Sequence, residues 1–192
     1  MSKGRLEAFS DGVLAIIITV MVLELRPPQG EDEISLRALV PLLLSYTLSF
    51  LFVAIYWVNH HHLLQAARHV NGPVLWANIH LLFWLSLTPA VTAWLGRSHA
   101  APLPTALYGA VLLMAGTAYY VLSRALVALH GETSALAKAI GADAKGIASI
   151  VIYAVAIGLA FTRPSWSCAL YVVVAVIWLV PDRRIERQLR QP

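Results

Sequence analysis

Long apolar stretches alternate with short charged ones along this chain. Gly12–Leu23 carries no charge between Asp11 and Glu24. Further uncharged runs cover Ala38–Ala67, Val70–Gly96, Ser98–Ser123, Gly146–Thr162 and Pro164–Pro181. Their length and lack of period-two alternation predict six helices rather than barrel strands. Fully helical, the second run would reach about 45 Å, beyond the ~30 Å hydrocarbon core of a bilayer. One of its ends is therefore expected to project into water. Pro89 lies inside the third run and predicts a kink, because proline lacks an N–H and crowds the turn before it. The connections are short except Leu129–Lys145, which holds Gly131, Gly141, Asp143 and two lysines and is expected to be a loop. No second domain or low-complexity linker is visible, so residues 1–192 are expected to form a single six-helix transmembrane domain.

Composition sharpens this into a class. Of 192 residues, 59% are hydrophobic and 12% charged, about half the charged share of an ordinary soluble domain. Mean hydropathy is +0.71. So few charges cannot cover a soluble surface, which excludes a disordered chain and an ordinary soluble enzyme. The class is an all-α integral membrane protein. Lys and Arg total 14 against 10 Asp and Glu, a net charge of +4. The basic residues flank apolar segments, which fits membrane orientation and gives no nucleic-acid partner. Six spans put both termini on one side. Lys3, Arg5, Arg68, Arg124, Lys138, Lys145, Arg183, Arg184, Arg187 and Arg190 collect there, and Arg26, Arg37, Arg97 and Arg163 on the other. Ten against four predicts cytoplasmic termini. The Glu31-Asp32-Glu33 cluster then faces outward, as a solvated loop or as a feature concentrating cations at a pore mouth. The single cysteine, Cys168, lies in an apolar run and cannot form an internal disulfide. Lys3 and Arg5 resemble the start of a leader, but Asp11 interrupts the apolar stretch after them and no small-x-small site precedes Arg26, so cleavage is not expected.

The first helix is the anomalous one. Asp11 and Glu24 are about 20 Å apart along a helix, less than the ~30 Å hydrocarbon core. At least one carboxylate must therefore sit in protein or in water, since lipid exposure costs about 2.5–3.5 kcal/mol. That places the helix inside an assembly. Gly12, Ile16, Thr19 and Leu23 recur at helical spacing, with Val20 beside them. Around a symmetry axis, Ile16 rings would close a pore by dewetting and Thr19 rings would offer oxygens to an ion. Spacing alone fits a helix-contact stripe better, with Thr19 bonded back to its own backbone. Arg5, Ser10 and Asp11 need partners in a low-dielectric site. Trp57, Asn59, His60, His61, Asn78 and His80 lie at a matching depth, so a buried polar network anchoring the first helix is expected. Histidine titration would make it pH-sensitive, but structural histidines are the plainer reading.

The run Arg5-x-x-x-Phe9-Ser10-Asp11-Gly12, followed by Ala15-Ile16-x-x-Thr19, resembles the signature of the transmembrane protein 175 potassium channel family. That family includes the endolysosomal channel of animals and prokaryotic relatives. Trp57-x-Asn59-His60-His61 is similar to its second-helix pattern, and Leu75-Trp76-x-Asn78 with Pro89 fits its third helix. The resemblance covers residues 5 to 96; beyond them only the helix count supports it. It implies a potassium-preferring cation channel with first helices lining a central pore. Animal members carry two six-helix repeats and dimerise, so one repeat implies a homotetramer. The resemblance assigns the apolar constriction to Ile16, Val20 and Leu23, and a polar layer aiding potassium selection to Thr19. It thereby reverses the balance on the Ile16 stripe. Val20 stands where bacterial relatives usually have the larger leucine, and Thr88-Pro89-Ala90 departs from the usual Leu-Pro-Phe. No Thr-Val-Gly-Tyr-Gly run is present, so a ladder of backbone carbonyls is not indicated. No cofactor is expected beyond the permeant potassium ion. The expected partners are the lipid bilayer, monovalent cations and copies of the same chain, in the plasma membrane.

Two alternatives compete. A secondary transporter would need a midplane site on broken helices, and only Pro89 interrupts a run. A proton-permeable channel is the other, since the sequence does not distinguish protons from potassium. An enzyme is not expected. No two of the seven histidines are three or four apart, and His60, His61 and His62 point about 100° apart on a helix, so they do not converge on a metal.

Overall fold

A computed structural model describes residues 2–25, 33–140 and 144–179 of the chain. The Glu31-Asp32-Glu33 side chains and the basic residues Arg26, Arg183, Arg184, Arg187 and Arg190 lie outside what it describes. All regular structure among the described residues is helical. Helix α1 spans Lys3–Leu23 and α2 spans Glu33–Ala66, with Pro41 inside the latter. Helix α3 covers Gly72–Ser86 and α4 covers Thr88–Arg97. Helix α5 covers Pro102–His130, α6 Ala135–Ile140, α7 Ala144–Ala160 and α8 Pro164–Leu179.

The boundaries follow local chemistry. The Asn71 side chain accepts a hydrogen bond from the Val74 N–H at 3.1 Å and caps α3, satisfying an orphan donor of the first turn. The third apolar run is interrupted at Leu87, two residues before Pro89, where proline cannot donate to the Leu85 carbonyl. The Val91 N–H resumes the ladder on Leu87 O at 3.3 Å. Pro102 and Pro164 open α5 and α8 at positions whose N–H has no helical partner anyway. Gly131, at φ 89°, ends α5 in a backbone region that other residues avoid.

Four segments are long and apolar enough to cross a membrane: Lys3–Leu23, Leu39–Ala66, Gly72–Arg97 and Pro102–His130. As described, α7 and α8 have 17 and 16 residues. At about 1.5 Å per residue they reach roughly 25 Å, short of the ~30 Å core. The architecture is thus all-α and membrane-like, with four long apolar helical segments and two shorter ones. The Leu129–Lys145 connection departs from the expected loop, because it contains α6. Ala, Leu and Lys favour helix, Ser134 Oγ accepts from the Ala137 N–H at 3.1 Å, and Leu136 is buried against the core.

Two apolar clusters hold the helices together. One joins α1, α3 and the C-terminal half of α5 through Leu14, Ile17, Met21, Leu81, Leu85 and Leu122. The other joins α2, α5, α7 and α8 through Phe52, Tyr108, Leu112, Tyr153 and Tyr171. Between α2, α4 and α5, the Ser49 hydroxyl lies 2.9 Å from Tyr108 Oη and 2.7 Å from Thr92 Oγ1, so three buried hydroxyls satisfy one another. Close crossings use glycine. A Cβ on Gly96 would fall 2.7 Å from the Cα of Leu42, and one on Gly109 would overlap the Tyr171 hydroxyl. Without a hydrophobic drive between helices in lipid, such close approach is a main source of association.

Candidate pore helix and its polar anchor

Helix α1 has two unlike faces. Leu6, Ser10, Leu14, Ile17 and Met21 are buried within the chain, at spacings of three and four. Those spacings form one stripe of an α-helix. On the far side Arg5, Phe9, Asp11, Gly12, Ile16, Thr19, Val20 and Leu23 are exposed. Ile16 is 63% exposed and Leu23 74%. A Cβ at Gly12 would meet no other side chain within 4 Å, so nothing inside this chain requires a glycine there. From Gly12 to Leu23 this face carries no charge. It borders a groove floored by Val13, Ile17, Ser86 and Pro89, where α1 crosses the α3–α4 interruption.

The Thr19 hydroxyl donates to the Ile16 carbonyl at 2.8 Å. Its single proton is therefore used inside the helix, and its lone pairs remain available to the exposed side.

Below this face, three fully buried polar side chains tie α1 to α2 and α3. The Ser10 hydroxyl donates to Leu6 O at 2.9 Å, so its oxygen accepts from Asn78 Nδ2 at 2.9 Å. That turns Asn78 Oδ1 toward His60, whose Nε2 lies 2.7 Å away and must be the donor. The direction of every proton in the chain follows from the one the serine gives its own backbone. Asp11 sits outside this core: its Oδ1 accepts from Trp57 Nε1 at 2.9 Å on the exposed side. The Trp57 ring stacks on His61 at 6.0 Å.

The expected network is thus divided. The structure brings together Ser10, Asn78 and His60 in one buried set, and Asp11, Trp57 and His61 in an exposed one. It does not bring Arg5, Asn59 or His80 to either. Arg5 and Phe9 stand exposed on the outer face of α1. The Asn59 side chain donates to Ile55 O of its own helix at 2.8 Å, and its backbone carbonyl accepts from Tyr119 Oη of α5 at 3.3 Å. His80 accepts from Trp84 Nε1 at 2.9 Å along its own helix. The physical reason is angular: on a helix, residues one or two apart point about 100–200° from each other, so Asn59, His60 and His61 cannot share one partner, whereas Trp57 and His61, four apart, fall on one face.

One contact has no local signal in the sequence. At the C-terminal end of α1, the Glu24 carboxylate pairs with the Arg97 guanidinium, the last residue of α4. The two are 73 residues apart, and only the shared helix-end position of two isolated charges hints at it.

Residues 5–89 match the family described as the endosomal/lysosomal potassium channel TMEM175. A potassium channel of Chryseobacterium sp. (strain P1-3) is 51% identical over 191 residues, across the whole of both chains. One of Streptomyces collinus (strain DSM 40733 / Tue 365) is 32% identical over 128 residues, 62% of each chain. A crystal structure of a lysosomal potassium-selective channel TMEM175 homolog from Chamaesiphon minutus superimposes with a TM-score of 0.77 at 27% identity, covering 93% of this chain and 96% of that one.

Proposed function

This chain belongs to the TMEM175 family of ion channels, and from that premise we propose that it conducts potassium passively through a homotetrameric pore lined by α1. The chain is a membrane channel protein and not an enzyme. In this reading Ile16, Val20 and Leu23 form successive apolar constrictions and Thr19 supplies the oxygen layer between the first two. The observation that carries it is the outer face of α1, apolar and uncharged from Gly12 to Leu23, yet holding a glycine that no contact in the chain requires and a Thr19 oxygen whose proton is held by Ile16 O and whose lone pairs face outward. A purely lipid-facing surface needs neither.

The mechanism follows from solvation. A ring of branched apolar side chains narrow enough to expel water raises the barrier to a hydrated ion and acts as a gate. Four Thr19 oxygens replace part of the lost hydration, because their protons are held by the Ile16 carbonyls. Selection then rests on constriction size and a few side-chain oxygens. The Ser10–Asn78–His60 chain holds α1 at fixed rotation, so the apolar stripe keeps its aim. In this reading the chain sits in the plasma membrane with both termini cytoplasmic, and its permeant ion is potassium. The named potassium channels among its relatives support this reading over a transporter.

Reconstitution in liposomes carrying a potassium gradient tests it. Purified tetramer is expected to dissipate the gradient without an imposed proton gradient. Tetrameric protein that passes no potassium, or passes it only when protons are driven, would refute passive conduction.

A further inference from the structure

The Glu24–Arg97 pair is the contact for which the fold and the pore reading supply no role. Both side chains are partly open to solvent, at 37% and 51%. A pair this exposed contributes little to stability. Its position is more informative than its strength. Glu24 caps the C-terminal end of α1. It lies one turn beyond Val20 on the row Ile16, Val20, Glu24, and about 80° around the helix from Ile16. The carboxylate stands just past the edge of the exposed stripe, at the rotation of buried Leu6 and turned toward α4, at the level where the uncharged face ends. Arg97 reaches it from α4, the helix beside α1.

We propose that Glu24 and Arg97 set the cation supply at the mouth at the C-terminal end of α1, with Arg97 masking a ring of Glu24 carboxylates. The inference rests on the α1-lined pore above. Symmetry multiplies the pair: each copy of α1 brings one carboxylate to the same mouth, and each α4 brings its counter-charge. With the pairs intact, each Glu24 carboxylate is offset by its own Arg97 guanidinium. With the guanidinium removed, the carboxylates remain, and negative charge at a constricted entrance raises the local cation concentration. A unit charge about 8 Å from an ion in water changes its local concentration two- to threefold when unscreened. At about 1 M salt the Debye length is ~3 Å and the effect vanishes; at about 0.01 M it is ~30 Å and spans the mouth.

Single-channel recording of the reconstituted full-length protein in potassium chloride, from about 0.01 M to about 1 M, reads this directly. Arg97→Gln, which unmasks one carboxylate in each copy, is expected to raise low-salt conductance by at least about two- to threefold and to converge with the parent at high salt. Glu24→Gln, which leaves the arginine bare, is expected to lower low-salt conductance. The double substitution Glu24→Gln with Arg97→Gln is expected to return toward the parent curve, and Arg97→Lys to restore it. A change in conductance independent of salt would make the pair a strut only and overturn the proposal. So would Arg97→Gln and Glu24→Gln curves that overlay the parent. Should Arg97→Gln fail to assemble, the Glu24→Gln salt curve decides alone: a low-salt deficit supports the masking and its absence overturns it. A parent tetramer that passes no potassium at any salt concentration overturns the pore reading and this inference with it; conduction with flat variant curves overturns this inference only.

Discussion

The hydroxyl of Thr19 donates inward to Ile16 O at 2.8 Å, and its oxygen looks outward. A valine at this position keeps the shape and removes the oxygen, so Thr19→Val separates the two roles. Losing only a helix bond would leave ion preference untouched. As a layer of ion ligands, its loss is expected to move the reversal potential under mixed potassium and sodium toward equal permeability. An unshifted reversal potential would remove Thr19 from ion selection. Ile16 poses the complementary question. It is 63% exposed, so a polar side chain of similar size can be introduced without disturbing the chain's own core. Ile16→Asn is expected to hydrate the proposed constriction. Each ~1.4 kcal/mol taken off a barrier is tenfold in rate, and a flux increase of that order is expected in a liposome assay. Unchanged flux would place the gate at another residue.

At the scale of elements, Ser10, Asn78 and His60 make α1, α2 and α3 one unit. Each is essentially fully buried, and each donor has one acceptor. Asn78 is the middle member and satisfies both others. Asn78→Leu leaves the His60 Nε2–H and a Ser10 lone pair without partners, and an unsatisfied buried polar group costs about 1–3 kcal/mol. The thermal midpoint of the detergent-solubilised protein is expected to fall, and the proposed tetramer to dissociate at lower temperature. Unchanged melting would mean that apolar contacts alone hold α1. Which residues form this unit was only partly legible in the sequence. Motif and depth nominated the right helices, because polar residues in apolar runs are few. Choosing among Asn59, His60 and His61 needed the helix rotation, which adjacent residues in a motif do not reveal. The proline-linked break near Pro89 was readable because its cause is local. Helix α6 was not, since two glycines and an aspartate around it resemble loop composition while its stability comes from Ser134 and from burying Leu136. The Glu24–Arg97 pair was unreadable for the opposite reason: its cause is wholly tertiary.

For the whole molecule, the proposed pore divides the exposed apolar surface into a part that meets other copies and a part that meets lipid. Composition cannot separate them, since both are apolar. Ile16 and Leu23 on α1 are exposed, but so are Val155 on α7 and Val172 and Val176 on α8. Geometry separates them. Residues lining a closed constriction on a symmetry axis approach their own copies, and a disulfide requires Cβ atoms about 3.5–4.5 Å apart. Lipid-facing residues on the outer helices of a tetramer stay far beyond that reach. The one native thiol, Cys168, is replaced first by alanine to give a silent background. In that background, Ile16→Cys is expected to form cross-linked dimers on mild oxidation in the membrane, while Val172→Cys remains monomeric on a denaturing gel. Leu14→Cys serves as the internal control: it lies on the same helix but points into the chain, with 2% exposure, and is expected not to cross-link. Cross-linking at Val172 with none at Ile16 would put α8 on the axis and α1 against lipid. The glycine at position 12 and the outward oxygen of Thr19 would then have no ion to serve.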